Sequence, residues 1–568
     1  MHIHIVPNRG AAPTILLRES VRSGGKVGKR TLANLSSLSM PQVEAMRAIL
    51  RGETLRPVAD CFEVIASRAH GHVQAVTAAM QRLGLAALIA SKPCRERDLV
   101  LAMIAARILA PSTKLATTRW WSTTTLAEQL GLADADEDDL YDAMDWLLAR
   151  QDKIEKKLAK RHLAEGGLAL FDLTSSYFEG ETCPLAKRGY SRDGKKGLLQ
   201  VNYGILTDRR GCPVATAVHE GNIADPETLG PEIARLKTGF GIKNFVIVGD
   251  RGMISQRAID ELKTKDGVDW ITALKSGAIR ALIEDETLQP DLFDERNLFE
   301  ISHPDYPGER LVACRNPSLA ERRAAKREAL LAATEKNLFS IKQRVDAGRL
   351  SGADQIGLKV GRVVNQYKMA KHFALDIEAA CFAYRRKPDS IAAEAALDGI
   401  YIVRSSLSPE LMDGADCVRS YKALANLERG FRCLKTIDLK VRPIHHRLAD
   451  RVRAHIFLCM LAYYVEWHMR EAWRELTFAD EDQDAKETRD PVAPAKRSPA
   501  ALRKIATRQL EDGAPVHSFS TLLADLGTIV RNTCRTPTVT GDASQFQITT
   551  TPTATQRRAF ELIDAIAA

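Results

Sequence analysis

The spacing of apolar residues changes several times along this chain, and each change predicts a different element. Residues 14–35, "TILLRESVRSGGKVGKRTLANL", alternate around Gly24–Gly25 and predict a two-stranded hairpin. From about 40 to 165 the apolar positions recur every three to four residues, so almost every segment reads as an amphipathic helix. At 167 the pattern changes again. "GLALFDLTSSYF" is a continuous apolar strand closing at Asp172, and "LLQVNYGILTDRRGCPVATAVHEG" (198–221) is a hairpin turning at Asp208–Gly211. In "NIADPETLGPEIARL", Asp225 suits an N-cap and Pro226 the first helical position. "NFVIVGDRGM" (244–253) is a second buried strand, ending in Asp250, and "DWITALK" (269–275) is a third.

Three paired strands followed by helix, strand, helix and strand predict an α/β sheet with an antiparallel side, the order of a ribonuclease H-like core. Residues 276–400 break that order. They mix short strands ("LVACR", "CFAYRR", "GIYIVRS") with one long basic helix, for which Ser318 and Glu321 make a capping box. A helix over 416–436 and a buried helix over 451–470 come next, and the polar, proline-bearing stretch 477–500 reads as a linker. The expected fold is therefore multidomain α/β. It comprises an N-terminal hairpin segment (1–40), a helical domain that binds DNA or only supports the core (41–166), and a core in two parts (167–275 and 401–476). A mixed, β-rich insertion (276–400) interrupts the core, and a helical tail (501–568) follows the linker.

Composition narrows the class only a little. Of 568 residues, 45% are hydrophobic and 27% charged, which is globular, and the length calls for three or more structural units. A net charge of +9 permits a nucleic-acid partner without demanding one. Ten cysteines stand singly with no CxxC pair, which argues against a disulfide framework and a structural zinc site. The start, "MHIHIVPNRG", has no secretory pattern, and the apolar stretches 99–110 and 455–467 are too short to span a bilayer. The chain reads as a soluble intracellular protein of a reducing cytoplasm.

Asp172 and Asp250 end neighbouring strands, where a sheet holds side chains rigidly. Alone, each reads as a turn or cap residue. Together they offer hard oxygen ligands for Mg²⁺, and paired ions suit displacement at a phosphodiester. In "SYKALANLERGFRCLK", Tyr421, Leu424, Glu428, Arg432 and Lys435 share one helix face. That face is either a solvated stripe with a Glu428–Arg432 ion pair or a third metal carboxylate flanked by phosphate-gripping groups.

These residues resemble the Asp-Asp-Glu (DDE) transposases of bacterial insertion sequences. The resemblance is to the group with a Tyr-x2-Arg-x3-Glu-x6-Lys signature and a β-rich insertion before the glutamate. Here the signature is Tyr421, Leu424, Glu428 and Lys435, with leucine where the family has arginine. "DLTSSYF", "GYSRDGKKGLLQVNYGILTD", "HEGNIADPETL", "VGDRGM" and "ERGFRCLKTIDLKVRPIHHRLADRVRAHIFL" extend it over roughly 14–565. The resemblance implies that Asp172, Asp250 and Glu428 hold two Mg²⁺ ions, with Mn²⁺ equally suited to a carboxylate site. It implies cleavage at the element's ends and joining of the freed 3′-ends to target DNA, with a homodimer holding two terminal inverted repeats. Tyr421 and Lys435 are the implied phosphate contacts, with Arg429 or Arg432 standing in for the missing arginine. Lys195 and Lys196, in the basic stretch 190–197, are further DNA-binding candidates beside a plain solvated loop. The resemblance also implies an aromatic that stacks a flipped base; Trp270 suits that role or a core strand position equally, and His445 and His446 read as structural or phosphate-adjacent. Two other readings stay open: a nuclease of the same fold that cuts without joining, and a DNA-binding protein derived from a transposase with a dead site.

Overall fold

Alternating sequence becomes sheet and three-to-four spacing becomes helix over most of the chain. The computed structural model describes residues 1–53, 61–289, 292–536 and 545–567, in two units.

The first unit comprises residues 1–68 and 530–551. Strands His2–Asn8, Ala11–Ser23 and Lys26–Asn34 form an antiparallel meander, so the expected hairpin carries a further strand before it. Gly24 and Gly25 both take positive φ in its turn, as a tight hairpin requires. Helix Met40–Leu50 buries Val43 against Ile3, Ile15 and Leu35. Strands Gln545–Thr549, Val530–Arg535 and Glu63–Ala69 make a second sheet in that order. Residues 63–69 and part of the tail are thus strand where helix was expected, while positions 54–60 of the expected helical block lie outside the described residues.

The second unit comprises residues 69–529 and 552–568. Its sheet is built from β1 (Leu168–Tyr177), β2 (Gln200–Thr207), β3 (Pro213–Glu220), β4 (Phe245–Val248), β5 (Val268–Ala273), β6 (Leu298–Ile301), β7 (Arg310–Arg315) and β8 (Ile400–Ser405). The order across it is β6-β7-β8-β5-β4-β1-β2-β3. β1, β4 and β5 run parallel, and β2, β3, β6, β7 and β8 add antiparallel pairings on the two sides. β4 is four apolar residues, all buried, as a strand covered on both faces should be.

The helices that matter for the site are α1 (Gln151–His162), α2 (Asp225–Ala234), α3 (Gly414–Lys422), α4 (Leu424–Arg432), α5 (Ala449–Ala472) and α6 (Ala554–Asp564). α5 is buried almost all round through His455–Trp467, and helix Arg95–Leu109 through Leu99–Ile108. Both match the apolar stretches in the sequence. Among the described residues no single helix is long and apolar enough to cross a membrane.

Several expectations are corrected. Asp172 does not close its strand: β1 runs on to Tyr177, because its pairing with β2 continues through Thr174–Tyr203 to Tyr177–Gln200. The N-cap of α2 is Ala224, and Asp225 sits one position inside, its side chain drawn to an arginine instead. The long basic helix starts at Pro317 with Asn316 as its cap, accepting from Leu319 N, because proline fits the first helical position better than Ser318 fits the cap. The 276–400 insertion is more helix than strand: helices Ser276–Glu284, Pro317–Asp346, Ala353–Tyr367 and Pro388–Ala395 dominate. Its strands β6 and β7 join the main sheet, leaving only the pair Phe373–Ile377 and Phe382–Arg386 apart. Residues 477–500 are not a bare linker. They contain a short helix, Asp484–Thr488, and bury Val492, whose carbonyl accepts from Asn316 Nδ2 at 2.8 Å.

The expected helix over 416–436 is broken in two at Ala423 and ends in a π-turn, Cys433–Ile437. The wider π-turn rotates the following residues away from the α-helical phase. Lys435 therefore leaves the face it would share with Glu428 and becomes buried.

Candidate active site

β1 and β4 run side by side and parallel, which carries Asp172 and Asp250 toward one another. Asp172 lies in mid-strand, half-buried, and its Oδ1 accepts from Leu173 N at 2.7 Å. Asp250 follows β4 after Gly249, is exposed, and uses its Oδ1 to accept from Gly252 N (2.9 Å) and Met253 N (2.8 Å). That turn fixes the carboxylate at the strand end. Among the described residues the other oxygen of each aspartate, and the whole Glu428 carboxylate, accept no hydrogen bond from protein.

Burial pushes the Asp172 carboxyl up to about 7, and the neighbouring Asp250 charge pushes the same way, against Leu173 N–H and Arg192. Tyr421 ties the third carboxylate to the first two. Burial pushes its phenol up to about 12, and Asp250, Glu428 and Asp172 all add to that, with Arg251 opposing. One hydroxyl therefore lies within electrostatic reach of all three carboxylates. The three do not crowd to within 4.8 Å of one another, a spacing found elsewhere in the chain.

Glu428 is held by the packing of its helix. α4 buries Leu427, Gly430 and Phe431 while Glu428, Arg429 and Arg432 stay exposed. Phe431 meets Tyr203 of β2 edge-on at 6.2 Å. Gly430 lies against Tyr463 of α5 so closely that a Cβ would stand 2.9 Å from the hydroxyl. Under the other end, Gly211 at the β2–β3 turn needs its φ of +87°, and a Cβ there would come within 2.8 Å of Asn426. Leu424 is half-buried and packs on the core, so leucine in place of the family's arginine contributes packing.

The basic stretch 190–197 is anchored by a residue the sequence reading passed over. Asp193 accepts from Tyr177 N at 3.1 Å and from Lys435 Nζ at 2.9 Å, and it pairs with Arg442. Burial lowers the Lys435 ammonium, an effect Asp193 opposes. Arg192, next in the chain, donates its backbone N–H to Ser175 Oγ and grips both oxygens of Asp225. The motifs "GYSRDGKKG" and "NIADPETL" thus meet beside Asp172, although the spacing of neither could show it. Lys195 lies 5.9 Å from the Tyr177 ring, and among the described residues Lys195, Lys196, Arg429 and Arg432 form no ion pair. Of the two roles open to Trp270 the structure shows the core one: it is buried in β5. His446 is half-buried and meets Tyr141 edge-on and His455 at a tilt, while His445 is exposed with its Nδ1 3.8 Å from Glu179.

Comparison with known proteins fixes the family. The profile described as "Transposase DDE domain" matches residues 165–465, more than half of the chain. The chain belongs to the DDE transposases of insertion sequences. A second profile, "IS1634 family transposase, N-terminal domain", matches residues 3–59 of this transposase. DDE transposase domains cleave DNA and transfer strands, and they generally use divalent metal ions. No curated protein matches the chain. Among solved structures it is similar to a piggyBac transposase synaptic complex with hairpin DNA, at 9% identity and a TM-score of 0.35, covering 80% of this chain and 77% of that one. So low a score carries no argument.

Proposed function

We propose that this insertion-sequence transposase acts by cut-and-paste through Asp172, Asp250 and Glu428, set in a ribonuclease H-like core. The observation that carries this reading is geometric: β1 and β4 pair in parallel with Leu170 opposite Val248, two residues before each aspartate, and α4, which bears Glu428, packs on β1. The strand order β3-β2-β1-β4-β5, antiparallel on the first side and parallel on the second, supports the core assignment. The three carboxylates would hold two Mg²⁺ ions, which activate an attacking oxygen and stabilise a leaving one at phosphorus. A cation held there would favour the carboxylate form of Asp172, offsetting the burial and the Asp250 charge that raise its pKa. Asp250 keeps one oxygen locked in its turn and presents the other.

The exposed cations Lys195, Lys196, Arg429 and Arg432 would take DNA phosphates, and the Tyr421 hydroxyl would donate to one near the metals. Lys435 acts on DNA indirectly, by clamping Asp193 and so the loop that carries Lys195 and Lys196. The protein works in the cytoplasm at the nucleoid, and two copies pair two terminal inverted repeats before cutting.

The test is strand transfer with Mg²⁺, a labelled duplex carrying the ends that flank the gene, and a supercoiled target plasmid. Label should join the plasmid with the wild type and not with Glu428→Gln. Cleavage without joining would replace this reading with a nuclease. DNA binding alone, equal in both proteins, would replace it with a retired transposase.

A further inference from the structure

The cysteine spacing predicts no zinc site, yet the fold brings three zinc-type donors together from three distant elements. His162 ends α1, Cys212 follows the β2–β3 turn, and His468 lies on α5. One ligand atom from each falls within 4.8 Å of the other two. Cys212 Sγ stands 3.8 Å from His468 Nε2. With metal–sulfur and metal–nitrogen bonds of about 2.3 and 2.0 Å, two ligands on a tetrahedral zinc lie about 3.5 Å apart. The pair therefore needs only a slight closing movement.

We propose that His162, Cys212 and His468 bind a zinc ion, separate from the carboxylate site. Two imidazoles and a thiolate are borderline-soft donors that suit Zn²⁺ and not Mg²⁺. His468 has no other hydrogen-bond partner among the described residues, so nothing competes for that nitrogen. Burial lowers both histidines, His468 to about 3, so both imidazoles are neutral at neutral pH; the Tyr464 hydroxyl, 3.1 Å from His162 Nε2, competes for that nitrogen. Burial also keeps the Cys212 thiol protonated, so binding forms an S–Zn bond and releases that proton to solvent. His162 and His468 line a cavity of about 580 Å³ together with Arg161, Arg210, Trp467, Glu471 and Ile566, which has room for a water ligand. Arg161 and Arg210 oppose a cation there, but Arg210 is already paired with Asp208 and lies over the Trp467 ring.

The consequence reaches the carboxylates. Cys212 adjoins Gly211, the residue on which Asn426 of the Glu428 helix rests. A metal at Cys212 would stiffen the support under α4.

Co²⁺ is the probe, added to full-length apo protein under a thiol-sparing reductant. One equivalent should give a thiolate-to-cobalt charge-transfer band, which carboxylate sites cannot produce, and Zn²⁺ should bleach it. Cys212→Ser should lose the band, and His162→Asn should weaken it at least about tenfold in Co²⁺ affinity. Cys381→Ser, at an exposed cysteine elsewhere, should keep it. Circular dichroism of each variant guards against misfolding, and His162→Asn tests the site through a partly exposed position. No band in the wild type overturns the proposal, as does a band that survives Cys212→Ser or disappears with Cys381→Ser.

Discussion

Asp172 is under opposing demands. Its site needs a carboxylate, yet burial and Asp250 favour the neutral acid. Its folded pKa, about 7, lies above the unfolded value near 3.9, so its contribution to stability is full below about pH 4 and is lost as pH rises through 7. Asp172→Asn should therefore stabilise the metal-free protein more at pH 8 than at pH 5, by roughly 2–3 kcal/mol. Glu232 and Glu466 are raised by burial too, but the comparison with the wild type cancels them. Thermal melts at the two pH values decide it, and an equal gain at both would mean Asp172 is not strained. Mg²⁺ should raise the melting temperature of the wild type and not of the variant. Asp193 poses the reverse case: one carboxylate holds two cations, and its side chain is only 3% exposed. Asp193→Ala strands Lys435 and Arg442 and should cost about 3–5 kcal/mol. Lys435→Met leaves Arg442 on the carboxylate and should cost clearly less. Urea midpoints of the two variants would show the order, and its reversal would mean that Lys435, not Asp193, organises the loop.

Among the elements, α4 decides whether Glu428 is presented. Its break from α3 at Ala423 and the π-turn after it were not legible in "SYKALANLERGFRCLK", which carries no proline and only Gly430 as a breaker. Both irregularities come from tertiary packing: Gly430 on Tyr463, and Lys435 pulled inward to Asp193. By contrast, the strands carrying the two aspartates were plain in the sequence, because apolar runs bounded by turn residues have few alternatives. The β6–β7–β8 extension was hidden for another reason: "LVACR" and "GIYIVRS" show where strands lie but not which sheet takes them. Gly430→Ala tests the role of packing directly. A Cβ placed 2.9 Å from the Tyr463 hydroxyl must push α4 away or turn the ring, at about 1–3 kcal/mol. Strand transfer should fall well beyond what that loss of stability explains, because Glu428 moves with its helix. Adding Tyr463→Phe removes the obstructing oxygen and should restore much of the activity; no rescue would mean the contact does not set the position of α4.

At the scale of the whole molecule, 81 cations face 72 carboxylates, and the cations nearest the site are spent inside the protein. Arg192, Arg442 and Lys435 sit in the most basic neighbourhood of the site, yet each is held by Asp225 or Asp193. A cation already paired inside the protein releases few counterions from DNA, whereas an unpaired one releases about 0.9 per phosphate neutralised on a duplex. Replacing Lys195, Lys196, Arg429 and Arg432 together with glutamine should thus flatten the dependence of log affinity on log salt by about 3–4. Lys435→Met, if folded, should leave that slope nearly unchanged while loosening the loop. Fluorescence anisotropy on an end-containing duplex between low and moderate salt measures both slopes. An unaltered slope in the quadruple variant would move the DNA to another face. A drop of about one in Lys435→Met would mean that Lys435 leaves Asp193 for a phosphate when DNA arrives.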